Sequence, residues 1–91
     1  MRIAWTPAAA TDLEQILDYL EEQKSAVATQ VVRQIYSAAS SLREFPRQGR
    51  PGRKEGTREL TLSGLPWLII YMVSDEVVRI IRVLHGAQRW P

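Results

Sequence analysis

The stretch PWLIIYMVSDEVVRIIRVL, residues 66–84, decides the fold of this chain. Pro66–Val73 is apolar at nearly every position, which is typical of a central strand that is covered on both faces. Residues 74–76 (SDE) interrupt the apolar run and predict a tight turn. Val77–Leu84 then returns to β-branched residues, so the stretch predicts two antiparallel strands joined as a hairpin.

A third strand is predicted immediately before this hairpin. Thr57–Ser63 alternates, with Leu60 and Leu62 on one face and Glu59 and Thr61 on the other. A Ser-Gly pair then gives a turn. Three strands with such short connections form an antiparallel meander. Before them, the segment PRQGRPGRKEG contains two prolines and three glycines in eleven residues and predicts a loop.

The N-terminus predicts a strand that leads directly into a helix. Residues 2–6 (RIAWT) alternate, which places Ile3 and Trp5 on the same face of a strand. Thr6 is a suitable N-cap, and Pro7 is favoured at the first helical position because its missing N–H has no partner there.

Two amphipathic helices are predicted over residues 7–24 and 25–44, because apolar residues recur there at helical spacing. The short connection between them requires an antiparallel hairpin. The chain therefore predicts one α+β domain over residues 1–91, with an N-terminal strand and a helix hairpin packed on one side of a small antiparallel sheet. The predicted core includes Leu17, Ile35, Leu60, Ile70 and Ile80.

Composition excludes several classes of site. The chain has no cysteine and one histidine, which excludes disulfides and thiolate metal sites and leaves almost no basis for structural zinc. No glycine-rich phosphate loop or other cofactor motif is present, so neither a cofactor nor a metal is expected. The longest apolar run, Leu65–Val73, is far shorter than the ~20 residues of a membrane-spanning helix. We expect a soluble cytoplasmic protein with no membrane partner.

Positive charge is concentrated in two segments, although the net charge is only +2. Residues 43–58 hold six basic and two acidic side chains, a net of +4, and residues 79–91 hold three arginines and no acid, a net of +3. Arginine suits bidentate binding of phosphate or carboxylate. The two segments could face a polyanion together if the fold brings them together, and an ordinary solvated surface is the alternative.

The remaining chemistry is that of a metal-independent ribonuclease. RNA cleavage needs a general base, a general acid and a cation beside the phosphate. His85 is the one side chain whose ordinary pKa lies near neutrality. Arg58 and Arg82 could neutralise the phosphate, and Tyr71 or Trp90 could stack on a base.

The same residues also have structural interpretations. His85 could cap the last strand by bonding to a nearby carbonyl or carboxylate. Arg82 shares strand parity with Ile80 and Leu84, and Arg58 shares it with its own apolar neighbours, so each guanidinium could emerge at the sheet edge and pair with an acid. Trp90 could close the open end of the core or bind a partner.

Four segments together resemble the RelE/ParE superfamily of toxins from type II toxin–antitoxin modules, and the resemblance covers essentially the whole chain. They are WTPAAATDLEQILDYL, FPRQGRPGRKEGTREL, PWLIIYMV and VVRIIRVLHGAQRWP. The resemblance implies the same fold, a helix hairpin on a small antiparallel sheet. It also implies one of two activities, because RelE-like members are ribosome-dependent mRNA endonucleases whereas ParE-like members poison DNA gyrase.

Two features favour the ParE-like branch. In the similar nucleases an arginine shortly precedes the tyrosine of the penultimate strand, and Leu68 occupies that position here. The basic segment before Thr57 contains one lysine, Lys54, where RelE itself is lysine-rich. We therefore favour no catalytic residue, and the nuclease alternative would use His85, Arg82, Arg58 and Tyr71.

The resemblance also implies partners. A cognate antitoxin, a small DNA-binding protein with an acidic or amphipathic tail that folds on binding, would neutralise the toxin and make the contacts to operator DNA. The target would be DNA gyrase, or the ribosome and mRNA in the nuclease alternative. A non-toxic nucleic-acid-binding module is a third class that fits the charge pattern. The predicted target- or antitoxin-binding residues are Arg50, Arg53, Arg58, Arg82, Arg89 and Trp90.

Overall fold

The computed structural model describes residues 1–91 and contains one five-stranded sheet and two helices. In chain order the elements are β1 (Arg2–Trp5), α1 (Pro7–Glu22), α2 (Ala28–Ser41), β2 (Arg50–Pro51), β3 (Thr57–Thr61), β4 (Trp67–Ser74) and β5 (Val77–His85). The strand order is β1-β5-β4-β3-β2, and neighbouring strands are antiparallel except β1 and β5, which are parallel. The predicted α+β fold and the meander are confirmed.

The β4–β5 hairpin has a two-residue turn. Asp75 and Glu76 have φ angles of 52° and 60°, which is the left-handed conformation that a twisted hairpin requires at both turn positions. β4 lies in the middle of the sheet, and its residues Ile69, Ile70 and Tyr71 are buried in succession. The apolar stretch therefore forms the central strand that the sequence predicts.

A β-bulge interrupts this hairpin. Ile70 pairs with Arg82 and Tyr71 pairs with Ile80, which leaves Ile81 as an extra residue in β5. Side chains alternate along a strand, so the extra residue exchanges the faces of all residues beyond it. The even spacing of Arg82 from Ile80 and Leu84 predicted a shared face. The bulge makes this expectation wrong for Ile80, whereas Leu84 lies on the same side of the bulge as Arg82 and keeps the predicted parity.

The start of α1 is tied to the end of the sheet. The Thr6 hydroxyl accepts a hydrogen bond from the Ala9 amide at 3.1 Å, as an N-cap does, and donates one to the Ile81 carbonyl at 2.9 Å. Both helices lie within the predicted ranges 7–24 and 25–44. Neither helix has the length and apolar character that crossing a membrane would require.

The core lies between the helix hairpin and one face of the sheet. Its cluster of 13 buried residues comprises Ala9, Ile16, Val31, Ile35, Ala39, Leu42, Leu60, Leu62, Ile69, Tyr71, Val78, Ile80 and Val83. Four of the five predicted core residues are buried, namely Ile35, Leu60, Ile70 and Ile80.

Leu17 is the exception, because it is half-buried and the prediction for it is wrong. The buried residues of α1 are Ala9, Asp12 and Ile16, which lie three and four positions apart. This spacing defines the centre of the buried face, and Leu17 is rotated by about 100° from Ile16 on the helix. The apolar stripe of α1 is therefore wider than the face that the rest of the protein covers.

One strand lies in a segment that the sequence predicts as a loop. Arg50 pairs with Glu59 and Pro51 pairs with Arg58, so β2 extends the sheet beyond β3. A proline is tolerated here because an edge strand leaves one side without ladder hydrogen bonds. Two residues flanked by glycines give no periodic pattern from which the strand could have been predicted.

Candidate functional site

Arg82 is held by an ion pair inside the protein. Its Nε and NH2 groups donate to the two carboxylate oxygens of Asp12 at 2.7 and 2.8 Å. Only 8% of the Asp12 side chain is exposed, against 34% for Arg82. The hydrogen bond from the guanidinium to Asp12 raises the pKa of Arg82. The pairing with an acid that the sequence analysis considered is observed, and Arg82 links α1 to β5.

Asp12 is a key residue that the sequence analysis did not select. Its carboxylate also accepts a hydrogen bond from the Val83 amide at 2.9 Å, beyond the point where β1 stops pairing with β5. One signal was present in the sequence, because Asp12 lies between Ala9 and Ile16 on the buried stripe of α1. An acid at such a position needs buried partners.

Tyr71 and Arg58 fix the basic loop to the sheet. The Tyr71 hydroxyl donates to the Pro46 carbonyl at 2.7 Å and accepts from the Gly49 amide at 2.8 Å, and Arg58 donates to the Gly49 carbonyl at 2.7 Å. Burial raises the pKa of Tyr71, although the Gly49 hydrogen bond and the Arg58 charge oppose the effect. A Cβ on Gly49 would lie 2.7 Å from the tyrosine oxygen, so only glycine fits.

The proposed stacking of Tyr71 on an RNA base is therefore wrong, because this ring is fully buried in the core. Arg58 is only partly buried, but its guanidinium is engaged with the loop backbone.

His85 is exposed at the end of β5. Its Nδ1 accepts a hydrogen bond from the Ala87 amide at 3.1 Å, and its own amide donates to the Gln88 side chain at 2.7 Å. In the neutral ring this leaves the proton on Nε2. The edge of the ring also faces Trp67, with centroids 6.3 Å apart. The histidine caps the turn after the last strand, through an amide rather than the carbonyl or carboxylate that we expected.

Two residues of the nuclease alternative, Arg82 and His85, line one cleft of about 370 Å³, but Arg58 and Tyr71 lie elsewhere. His85 lies opposite Trp67 and Arg58 lies opposite Tyr71, four residues apart along β4. That separation is roughly 13 Å along the strand, with two further strand spacings of roughly 5 Å each across the sheet. A single phosphodiester cannot contact both side chains in this arrangement.

The basic loop and the C-terminal tail come together on the sheet face opposite the helices. Arg50 and Arg53 of the loop line a cleft of about 130 Å³ together with Gln88 and Trp90 of the tail. Its floor is formed by Leu68, Ile70 and Leu84. The fold thus brings the two segments together, although the tail residues that line the cleft itself are uncharged.

We call this surface the basic patch, and it consists of Arg50, Arg53 and Trp90 at the cleft, Lys54 beside the Trp90 ring, and Arg89, the exposed residue that precedes Trp90 in the chain. The Lys54 ammonium lies 5.8 Å from the centre of the Trp90 ring, in a cation–π contact. Arg50 donates to the Glu59 carboxylate at 3.2 Å, and the Arg53 amide donates to the same carboxylate at 3.3 Å. The Arg53 and Arg89 side chains are exposed and make no hydrogen bond within the protein, so they are free to bind a partner.

A second surface lies on the helix hairpin. Trp5, Leu13, Leu17, Val32 and Tyr36 line an apolar groove of about 320 Å³. The Trp5 and Tyr36 rings are stacked with centroids 6.0 Å apart, and Tyr36 is 55% exposed. Half-buried aromatic and aliphatic groups of this kind are typical of the centre of a protein–protein interface.

Residues 3–90 match the family described as the ParE toxin of the type II toxin–antitoxin system, parDE. The chain belongs to this family. It is 42% identical over 90 residues to the protein Y4kP of Sinorhizobium fredii, and the aligned region covers 99% of this chain and 93% of the relative. It is 34% identical over 87 residues to toxin RelE2 of Caulobacter vibrioides, which covers 96% and 97%.

The fold of this ParE-family toxin also resembles a solved structure, that of the chromosomal ParDE toxin–antitoxin system from P. aeruginosa. The TM-score is 0.84 at 31% sequence identity, over 93% of this chain and 95% of the other. The resemblance to the RelE/ParE superfamily is confirmed. The protein is the toxin component of a type II toxin–antitoxin module.

Proposed function

We propose that this toxin arrests growth by poisoning DNA gyrase. The observation that carries the proposal is that the nuclease residues do not form one complete site, because Arg58 and Tyr71 do not join Arg82 and His85. A ribonuclease needs its base, its acid and its phosphate-binding cation within hydrogen-bond reach of one phosphodiester. Here Arg82 is paired with Asp12, Arg58 is bonded to the loop backbone and Tyr71 is buried. Binding to a large target requires no such convergence.

The position of Leu68 supports the same conclusion. Leu68 forms part of the apolar floor beneath the basic patch, where a phosphate-binding arginine would be needed for cleavage. The developing negative charge on a phosphoryl oxygen would therefore have no cation on the central strand.

Ribosome-dependent mRNA cleavage is the second candidate function, because one relative with 34% identity is named RelE2. In that case the exposed His85 would be the proton-transfer group. Its replacement by alanine would lower cleavage by ~10²–10⁴-fold, which is the usual contribution of general acid–base catalysis.

We propose that this protein is a single domain over residues 1–91 and that it acts in the cytoplasm. We also propose that a cognate antitoxin neutralises it. The similar solved structure is that of a ParDE toxin–antitoxin system, and the apolar groove on the helix hairpin offers a surface for an amphipathic segment. The antitoxin would also make the contacts to operator DNA.

Expression without antitoxin, with DNA and protein synthesis measured separately, tests the proposed function. We expect DNA synthesis to stop first, and purified toxin to trap cleaved plasmid DNA on gyrase. His85→Ala should leave both effects unchanged if the variant melts like the wild type. Codon-spaced cuts in translated mRNA that disappear in folded His85→Ala would show that the nuclease function is correct instead.

A further inference from the structure

The basic patch has a strongly positive local charge. Arg50, Arg53, Lys54 and Arg89 contribute +4 and Glu59 contributes −1, which gives a net of +3 for a surface that includes one aromatic ring. Negative charge is concentrated elsewhere, on the exposed side of α1, at Glu14, Asp18, Glu21 and Glu22. The protein therefore presents surfaces of opposite sign, and the basic patch is suited to an anionic partner.

The one acid that lines the cleft, Glu59, is already paired. Glu59 accepts hydrogen bonds from the Arg50 side chain and from the Arg53 amide, and only 17% of its side chain is exposed. The Arg53 and Arg89 guanidinium groups have no such partner. They can each donate two parallel hydrogen bonds to a phosphate group.

The size of the cleft favours a phosphate group over a larger ligand. Its volume of about 130 Å³ is well below the roughly 300–1,000 Å³ of pockets that enclose small organic ligands. The cleft can therefore accept part of a polymer backbone, while the rest of the polymer lies across the surface.

Trp90 adds a feature that a simple phosphate site would not need. The ring is half-buried and lines the cleft, and the exposed Lys54 ammonium lies 5.8 Å from its centre, so a base that stacks on this side takes the place of the flexible Lys54 side chain. Proteins that bind single-stranded nucleic acid combine cations that follow the backbone with aromatic rings on which bases stack.

We propose that the basic patch binds the sugar–phosphate backbone of single-stranded DNA, with Trp90 stacked on an unpaired base. The inference rests on the proposed function, because a gyrase complex with opened DNA presents this chemistry to the toxin. The apolar groove lies on the helix hairpin, so the DNA surface and the groove are separate. The toxin would thus contact the DNA of the gyrase complex as well as the enzyme.

Fluorescence anisotropy tests the proposal, with the full chain and an oligodeoxynucleotide of about 12 nucleotides. This length lies within the site sizes of folds that bind single strands. Each cationic contact contributes ~0.7 to the slope of log affinity against log salt concentration. Four contacts therefore predict that affinity falls by about 50-fold between about 50 and 200 mM salt. The double variant Arg53→Gln/Arg89→Gln should retain two contacts and lose only about 7-fold over the same range. Both side chains lack internal partners, so the fold should be unaffected.

A matched control has the same change in charge. Arg33→Gln/Arg43→Gln removes two exposed cations from α2 and the residue after its C-cap, outside the basic patch. This variant should keep the wild-type salt dependence. Trp90→Ala should lower affinity by roughly 5- to 150-fold, which is the usual effect of losing a stacked base, without changing the salt dependence. Trp90→Phe should restore most of the affinity because phenylalanine also stacks.

Several results would overturn the proposal. They are absent binding, equal losses in the two double variants, tighter binding to RNA or duplex DNA of equal length, and tighter binding of a glutamate-rich peptide. Gyrase-dependent cleavage of plasmid DNA separates this inference from the proposed function. If the wild type traps cleaved DNA and Arg53→Gln/Arg89→Gln does so equally well, the DNA contact is wrong while gyrase poisoning stands. If the wild type traps none, the proposed function itself is wrong.

Discussion

Replacement of Asp12 by alanine should be among the most destabilising single changes in this protein. Its carboxylate accepts three hydrogen bonds, two from Arg82 and one from the Val83 amide. An unsatisfied buried amide costs about 1–3 kcal/mol. Loss of a buried ion-pair partner costs about 3–5 kcal/mol, but Arg82 is a third exposed and its guanidinium can be rehydrated. Both terms together predict a loss of about 2–4 kcal/mol in the free energy of unfolding.

Asp12→Asn provides a sharper test of the geometry. The amide oxygen of asparagine, in the place of Oδ2, can still accept from the Val83 amide and from Arg82 Nε, but its NH2 group would face the second guanidinium donor of Arg82. Two opposed donors cannot bond and the charge of the pair is lost, so Asp12→Asn should destabilise the protein, but less than Asp12→Ala does.

Denaturant unfolding of each variant measures these differences, with Asp18→Ala as the matched control. Asp18 lies on the same helix and is exposed, so its replacement should change stability by no more than about 0.5 kcal/mol. A loss below about 1 kcal/mol for Asp12→Ala, or a value equal to that of the control, would refute the inferred importance of the buried carboxylate.

Three further changes test the packing, the turn and the loop. Ile35→Ala should cost about 2–5 kcal/mol in denaturant melts because the side chain is fully buried. Leu17→Ala should cost only about 1 kcal/mol because this side chain is half-buried. Similar losses for the two variants would show that α1 is wrongly oriented. Replacing Asp75 and Glu76 by Asn-Gly should raise the free energy of unfolding by about 0.5–1 kcal/mol, and with it the melting temperature, since both residues adopt left-handed φ angles. No gain in stability would argue against the turn type. Tyr71→Phe should cost about 1–3 kcal/mol because two loop backbone groups lose their partner. Burial raises the Tyr71 pKa, so its stabilising contribution is complete below pH 10.0 and is lost as the pH rises through the raised pKa; pH titration of unfolding should show this loss in the wild type and not in the phenylalanine variant.

The main elements could be predicted from the sequence because their signals are local. The hairpin follows from an apolar run that is broken once, and the start of α1 follows from Thr6-Pro7. The bulge at Ile81 left no such signal, because the run VVRIIRVL around it contains no glycine, proline or turn residue. The sequence therefore could not show that Arg82 and Ile80 lie on opposite faces of the strand, because their spacing of two residues is typical of a shared face.

The candidate site depended on contacts between distant parts of the chain. Charge counting identified the two basic segments, but only the fold shows that Arg53 and Trp90 line the same cleft. Asp12 and Arg82 are 70 residues apart, and no periodicity connects them. The burial of Tyr71 was likewise hidden, because an apolar strand can present a tyrosine to the core or to a partner with the same pattern.

The parallel pairing of β1 with β5 has a consequence for when the protein can fold. Arg2 lies beside Val77, and the Thr6 hydroxyl bonds to Ile81 across 75 residues of chain. Ribosomes deliver the N-terminus first, so β1 emerges long before the strand that it pairs with exists. The helix hairpin can form earlier, but β5 separates β1 from the rest of the sheet and is the last strand made. A ribosome that carries the unfinished chain therefore carries no folded toxin, and the interval is available for an antitoxin to bind the protein as it completes its sheet.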